Sequence, residues 1–149
     1  ASGQTLAKVS FACDASFRAL TRNSVRPPTA LASVAAVMVL PTPIMEQAGG
    51  LFLDYVCGDD DCAHKPDPAP YLLAAKKLGI APEDMGKCVV LEDTFVGLEA
   101  GAASGATTIA QTCTIRTDTS SGPQFASING YDGIDAAALD GFVRQRLAQ

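Results

Sequence analysis

Basic residues and histidine are scarce in this sequence. Lys and Arg number 11 against 16 Asp and Glu, so the formal net charge is −5, and no basic cluster supplies the attraction that drives binding to a phosphate backbone. One histidine and the lack of any Cys-x-x-Cys pair argue against a structural zinc site. We therefore expect neither a nucleic-acid-binding domain nor a zinc-binding domain.

Long apolar runs are also missing. No stretch approaches the roughly 20 apolar residues of a membrane-spanning helix, and no basic-then-apolar segment resembles a secretory signal. The five cysteines are an odd number spread along the chain, which favours free thiols in a reducing compartment. We expect no membrane span and an intracellular location, in the cytoplasm or in a plastid or mitochondrion after removal of a transit peptide.

A chain of 149 residues with 48% hydrophobic content is typical of one compact domain, here residues 1–149. Its short apolar runs are nearly continuous and do not alternate with polar residues, as in strands that are covered on both faces. A parallel sheet between helices is the expected architecture. The predicted strands are Lys8–Cys13, Ala35–Leu40, Leu51–Val56, Cys88–Leu91 and Thr107–Ala110.

The clearest predicted helix runs from Pro68 to Leu78. Asp67 can cap its first turn, proline suits its first position, and Gly79 can end it. Its spacing predicts one apolar face, formed by Tyr71, Leu72, Ala75 and Leu78.

Two further helices are predicted, over Phe95–Ser104 and Asp135–Leu147. The first carries small residues that permit close packing on the sheet, and the second carries an apolar stripe. Thr112–Asp132 is rich in Thr, Ser and Gly, which predicts a long loop.

Polar residues follow this framework at one place with a specific pattern. The run His64-Lys65-Pro66-Asp67-Pro68 precedes the first helix, and Glu92-Asp93-Thr94 follows a predicted strand. The carboxyl ends of parallel strands open onto the crevice where ligands bind. Paired carboxylates there suit Mg²⁺, and a neighbouring lysine suits a phosphoryl oxygen.

The run from Asp54 to Ala110, DYVCGDDDCAHKPDPAPYLLAAKKLGIAPEDMGKCVVLEDTFVGLEAGAASGATTIA, resembles the third and fourth motifs of haloacid dehalogenase-like (HAD) phosphatases of the beta-phosphoglucomutase and CbbY-like branch. The resemblance implies a Rossmann-like three-layer α/β core with a parallel sheet of about five strands. It further implies that Lys65 contacts the phosphate and the nucleophilic carboxylate, and that Glu92 and Asp93 hold a magnesium ion.

The first motif of that family departs from its pattern in this chain. The family has a strand ending in DxDG[TV], and the similar run here is VSFACDASF, from Val9 to Phe17. One alignment puts Ala12 at the nucleophile and Asp14 at the acid/base position. A shifted alignment makes Asp14 the nucleophile and a metal ligand, with Ser16 as its partner. Each alignment loses one group that the chemistry requires.

The second motif and the cap domain also differ. Thr42, between two prolines, is the candidate for the second motif and would contact phosphate together with Lys65; its alternative role is that of a loop threonine. The interval between Phe17 and Ala35 is too short for the family's cap, so we expect a core without a cap domain.

Glu92 and Asp93 have an alternative interpretation as an acidic pair at a helix start, stabilised by about 0.3–1 kcal/mol each.

The leading functional hypothesis is a degenerate, non-catalytic HAD-like protein that is a binding or structural subunit of a larger assembly. It would have protein partners and would be able to take a small phosphorylated ligand. The alternative is a Mg²⁺-dependent phosphatase acting on a small sugar phosphate through Asp14, Lys65, Glu92 and Asp93. A third possibility is a fragment whose nucleophile is supplied by another chain.

Overall fold

The described residues of the computed structural model, 6–10, 31–37, 54–56, 58, 60–113 and 118–149, build one parallel sheet. Its six described strands are β1 (Leu6–Ser10), β2 (Leu31–Val37), β3 (Asp54–Val56), β4 (Val89–Glu92), β5 (Thr107–Gln111) and β6 (Ala126–Ile128). They lie in the order β3-β2-β1-β4-β5-β6, and every neighbouring pair is parallel. The strand order therefore reverses direction between β1 and β4, at the centre of the sheet.

Strands β1 and β4 form this centre. Val9 pairs with Ala35 on one side and with Val90 on the other, and Ser10 pairs with Leu91. All four residues of β4 are buried. A strand covered on both faces has no solvent side for polar residues, which is why β4 shows an unbroken apolar run before its final glutamate.

Among the described residues, three α-helices cover the sheet: α1 (Ala69–Lys77), α2 (Phe95–Ala103) and α3 (Ala136–Leu147). Each starts beside a side chain that accepts a backbone hydrogen bond. Asp67 accepts from the Ala69 N–H at 2.8 Å, Thr94 from Gly97 at 3.2 Å and Asp135 from Ala138 at 2.9 Å. After α1, Gly79 takes the left-handed conformation (φ +72°) that favours glycine. A 3-10 helix, Pro82–Lys87, leads into β4.

The helices form two layers on opposite faces of the sheet. Helices α1 and α2 lie on one face, over a cluster that includes Val90, whereas α3 packs on the other, over a cluster that includes Val89 and Leu91. Consecutive residues of β4 thus point into different clusters, as strand geometry requires. Full burial of side chains such as Leu91 and Ile109 stabilises the fold by about 1.5–3 kcal/mol each. The expected three-layer α/β core is confirmed.

Helix α2 approaches the sheet closely through its small residues. A Cβ atom at Gly101 would lie 2.8 Å from Thr108 Oγ1 and 2.9 Å from Val90 Cγ1. Such contacts are too short for a real side chain, so α2 can reach this depth only with glycine at the position. The predicted role of the small residues in this helix is confirmed.

Strand β6 lies inside the segment that the sequence predicts as a loop, so that prediction is wrong for Ala126–Ile128. The strand has three residues, pairs with β5 through Ile109 and Ala126, and buries Ile128 to 8% exposure. Three residues give too short a pattern to recognise, and the strand forms because the edge of β5 offers hydrogen-bonding partners.

The predicted apolar face of α1 is wrong in one residue. Leu72 is 42% exposed, whereas Tyr71, Ala74 and Ala75 are buried. Residues three and four apart share a helix face, and Leu72 is rotated about 100° from Tyr71. It therefore points away from the sheet.

Several predictions fall outside the described residues. These are the ends of the first two predicted strands (11–13 and 38–40), the start of the third (51–53), and the candidate residues Asp14 and Thr42. Within the described ranges, no helix has the length and apolar character needed to cross a membrane. In the same ranges Cys62, Cys88 and Cys113 are free thiols.

Candidate functional site

The candidate site lies where β4 ends and α2 begins. Glu92 is the last residue of β4, and Asp93 and Thr94 form the turn that leads into α2. The Thr94 hydroxyl accepts the Gly97 N–H, and this bond caps the helix. The short connection fixes three consecutive polar residues at the carboxyl edge of a central strand.

Glu92 is a buried carboxylate, 2% exposed, that accepts hydrogen bonds on both oxygens. Its Oε1 forms an ion pair with Lys65 Nζ and accepts the Tyr71 hydroxyl at 2.6 Å. Its Oε2 accepts the Thr94 hydroxyl at 3.0 Å and two backbone N–H groups, of Asp93 at 3.2 Å and of Thr94 at 3.3 Å. A buried charge needs such partners, since without them the cost of removing it from water would be several kcal/mol.

Lys65 comes to the site from the loop before α1. Its side chain is 18% exposed while the ammonium group pairs with Glu92. The nitrogen also lies 5.1 Å from the centre of the Tyr71 ring, within the range of a cation–π contact. The loop turns through a hydrogen bond from the Asp67 N–H to the His64 carbonyl at 3.0 Å, and the Lys65–Pro66 peptide bond is cis.

Gly97 is part of the site because of the space that it leaves. A Cβ atom at this position would overlap the carboxylate of Glu92, with Oε2 as the nearest atom. The Glu92 side chain therefore lies directly against the first turn of α2. A glycine is therefore required five residues after Glu92, because any side chain at position 97 would collide with the carboxylate.

Two buried tyrosines shape the electrostatics of the site. Burial, together with the Glu92 carboxylate, raises the pKa of Tyr71 far above its usual range, so its hydroxyl stays protonated and donates. Burial, followed by the charge of Asp93, raises the pKa of Tyr131 to about 12. Tyr131, in the segment between β6 and α3, is thus within range of the charge of the half-buried Asp93.

The structure brings together two of the residues that the sequence singled out, Lys65 and Glu92, and places Asp93 next to them. The alternative role of Glu92 as a helix-terminal acid is not its main one, because the residue belongs to β4 and its carboxylate binds Lys65. Asp14 and Thr42 lie outside the described residues, so their roles stay predictions. Among the described residues, no group of three or more His, Cys, Asp or Glu side chains is arranged to hold a metal ion.

The sequence interpretation missed Tyr71 and Tyr131 as site residues. Tyr71 had been assigned to the apolar face of α1, which is correct for its ring and omits its hydroxyl. A tyrosine in the first turn of a helix that follows Lys65 was the available signal, because a buried tyrosine hydroxyl needs a partner. Tyr131 had no such signal, since it lies in a segment without a pattern.

The profile of the haloacid dehalogenase-like hydrolases matches residues 13–105, more than half of the chain. The chain belongs to the haloacid dehalogenase-like hydrolase family. The resemblance drawn from the KP and EDT motifs is thereby confirmed, and the relatives of this HAD chain include proteins of the CbbY-like and beta-phosphoglucomutase branch.

A CBBY-like protein of Arabidopsis thaliana is 52% identical over 52 residues, which are 35% of this chain and 15% of that protein. The solved beta-phosphoglucomutase of Clostridium difficile matches with a TM-score of 0.65 and 12% identity, over 78% of this chain and 51% of that one. CbbY of Rhodobacter sphaeroides, solved in complex with phosphate, matches with a TM-score of 0.60 and 24% identity, over 72% and 51%.

At these identities the structural likeness establishes the fold of the HAD chain. The chain spans about half the length of these solved relatives, and its match covers 15% of the curated plant relative.

Proposed function

We propose that this HAD chain binds a small phosphorylated ligand together with Mg²⁺, and that it does not hydrolyse the ligand. The observation that carries the proposal is the pairing of Lys65 with the buried Glu92 at the carboxyl end of β4, next to Asp93. The ammonium group of this partly exposed side chain supplies a fixed positive charge for phosphoryl oxygens. The half-buried carboxylate of Asp93, next to Glu92, supplies a hard oxygen ligand for a cation.

The Mg²⁺ part of the proposal fits Asp93 better than Glu92. A carboxylate has about four lone-pair sites, and Glu92 already accepts from Lys65, Tyr71, Thr94 and two backbone groups. Asp93, the half-buried carboxylate next along the chain, would hold the ion, with Glu92 adding negative charge, and Mg²⁺ typically keeps several waters beside one or two carboxylates. When bound, the ion would neutralise charge on the phosphoryl oxygens. Asp14 remains a predicted further ligand.

The absence of hydrolysis is proposed from strand β1. In the sheet Ser10 pairs with Leu91, one residue before Glu92. The sequence after Ser10 is Phe-Ala-Cys, and Asp14, the first carboxylate, comes four residues later; it is also the single acidic residue in 11–30. A nucleophilic carboxylate is expected just after this strand, and the three residues that follow Ser10 in the sequence have side chains that cannot form an acyl phosphate.

The test combines binding with turnover. Titration calorimetry with inorganic phosphate and Mg²⁺ should show binding to the wild type that weakens at least 10-fold in Lys65→Met. Lys77→Met is the matched control, because Lys77 also pairs with a carboxylate, Asp60 at 3.2 Å, but lies outside the site. Incubation with p-nitrophenyl phosphate and Mg²⁺ should release no p-nitrophenol. Equal phosphate binding by the wild type and Lys65→Met would refute the proposal.

The second candidate function is a Mg²⁺-dependent phosphatase acting on a small sugar phosphate. It is favoured by the cluster of Lys65, Glu92 and Thr94, in which motif residues that the resemblance assigns to phosphatase chemistry are in contact. In that case Asp14 attacks phosphorus, the ester P–O bond breaks and the leaving alcohol oxygen takes a proton from water; a second water then hydrolyses the acyl phosphate, which releases inorganic phosphate and the free carboxylate. Turnover of p-nitrophenyl phosphate that disappears in Asp14→Asn would establish this function and overturn the non-hydrolysing one.

The proposal includes a place in a larger assembly. Its support is a pair of exposed apolar side chains next to the site, Phe95 (37% exposed) and Val96 (46%), in the first turn of α2. Sedimentation velocity over a range of concentrations, with wild type and Phe95→Ser, tests this part. This part of the proposal would be contradicted if the wild-type protein stayed monomeric at every concentration and captured no partner from an extract of its source.

A further inference from the structure

Tyr71 contacts both members of the central ion pair. Its side chain is fully buried, and its hydroxyl donates to Glu92 Oε1 at 2.6 Å, the same oxygen that pairs with Lys65. Its ring lies 5.1 Å from the Lys65 nitrogen. One side chain therefore sets both the charge that Glu92 presents to the lysine and the surface on which the ammonium group rests.

Sharing one oxygen between two donors weakens each bond. Glu92 is buried, and in such a low-dielectric environment a carboxylate holds an ammonium group strongly. The Tyr71 hydroxyl takes part of the negative charge on Oε1, and it stays on that oxygen when the ammonium group moves away. Departure of the lysine then leaves Oε1 with a donor, which lowers the cost of the movement.

We infer that Tyr71 is a positioning residue that sets the balance of Lys65 between Glu92 and a bound phosphoryl group. The inference rests on the proposed function, because it takes phosphate as the group that Lys65 contacts. Without the hydroxyl, Glu92 holds the ammonium group more tightly and phosphate competes less well for it. The ring alone keeps the cation–π surface and does not restore this balance.

The test is the variant Tyr71→Phe, which keeps the ring and removes the hydroxyl. Inorganic phosphate should bind about 10-fold more weakly than to the wild type, a change of about 1.4 kcal/mol. Tyr55→Phe is the matched control. Tyr55 also has a lysine over its ring, Lys77 at 5.8 Å, but lies on the edge strand β3 and should keep the wild-type affinity.

A second background separates positioning from a structural role. In Glu92→Gln the carboxylate is gone, so adding Tyr71→Phe should change the phosphate affinity less than about 2-fold. If Tyr71 only supported the fold, its replacement by phenylalanine would lower the free energy of unfolding, measured by urea denaturation. Phosphate binding would then weaken equally in both backgrounds. Equal weakening, or no weakening in the single variant, overturns the inference.

The outcomes also separate this inference from the function on which it depends. Phosphate binding that requires Lys65 but is indifferent to Tyr71→Phe overturns the positioning role alone. A wild type without Lys65-dependent phosphate binding overturns the proposed function and this inference together.

Discussion

Replacing Gly97 with alanine would place a methyl group in the space now held by the Glu92 carboxylate. Either α2 moves away from β4, or the carboxylate leaves its partners. The second outcome breaks the contacts with Lys65 and Tyr71, and breaking a buried ion pair costs about 3–5 kcal/mol. The first outcome is overpacking, which costs about 1–3 kcal/mol.

The helix itself would gain from the change. Alanine is better than glycine in a helix interior by about 1 kcal/mol, which offsets part of the loss. With this offset the loss is about 0–2 kcal/mol if α2 moves and about 2–4 kcal/mol if the carboxylate leaves, so we expect Gly97→Ala to lower the free energy of unfolding by about 1–3 kcal/mol. For a domain of this size such a change is a large part of the total stability.

Urea denaturation followed by circular dichroism measures this difference. Gly141→Ala is the matched control, because Gly141 is also helical, in α3, and a Cβ atom there would have nothing within 4 Å. That variant should be more stable than the wild type by about 0.5–1 kcal/mol. If Gly97→Ala were as stable as Gly141→Ala, the steric account of the site would be refuted.

Three other predictions follow from the same contacts. Lys65→Met should lower the free energy of unfolding by about 3 kcal/mol, because it leaves Glu92 charged and buried, and the double variant with Glu92→Gln should recover most of the loss; additive losses in urea denaturation would contradict this. The pKa of Tyr131, about 12 in the folded chain against about 10 when unfolded, means that the folded state holds this proton more tightly. Its contribution to stability is complete below pH 10 and is lost as the pH rises towards 12. The free energy of unfolding of Tyr131→Phe should therefore fall less steeply with pH over that range than that of the wild type, and identical pH profiles would refute the assignment. Burial raises the pKa of the Cys88 thiol to about 11, whereas Cys113 is exposed, so maleimide at neutral pH should label Cys113 faster than Cys88. Peptide mapping that finds the two labelled equally fast would contradict the burial of Cys88.

The sequence by itself determined the layered α/β core and two members of the site. Unbroken apolar runs such as the one that became β4 indicate burial on both faces, and Asp67 and Thr94, which accept backbone hydrogen bonds, mark helix starts. Lys65 and Glu92 could be assigned to one site in advance, because each occupies a fixed position in a motif relative to a strand or a helix, whereas their ion pair could not. These features are local, so a short window of residues contains their signal.

Tertiary structure decided what depends on contacts between distant segments. Strand β6 exists because β5 offers it an edge, and Leu72 is exposed because α1 turns another face to the sheet. The Tyr71 hydroxyl acquires its role from a carboxylate 21 residues away. Hydrogen bonds and burial between remote residues depend on how the elements pack in three dimensions, and no pattern within a single segment encodes that packing.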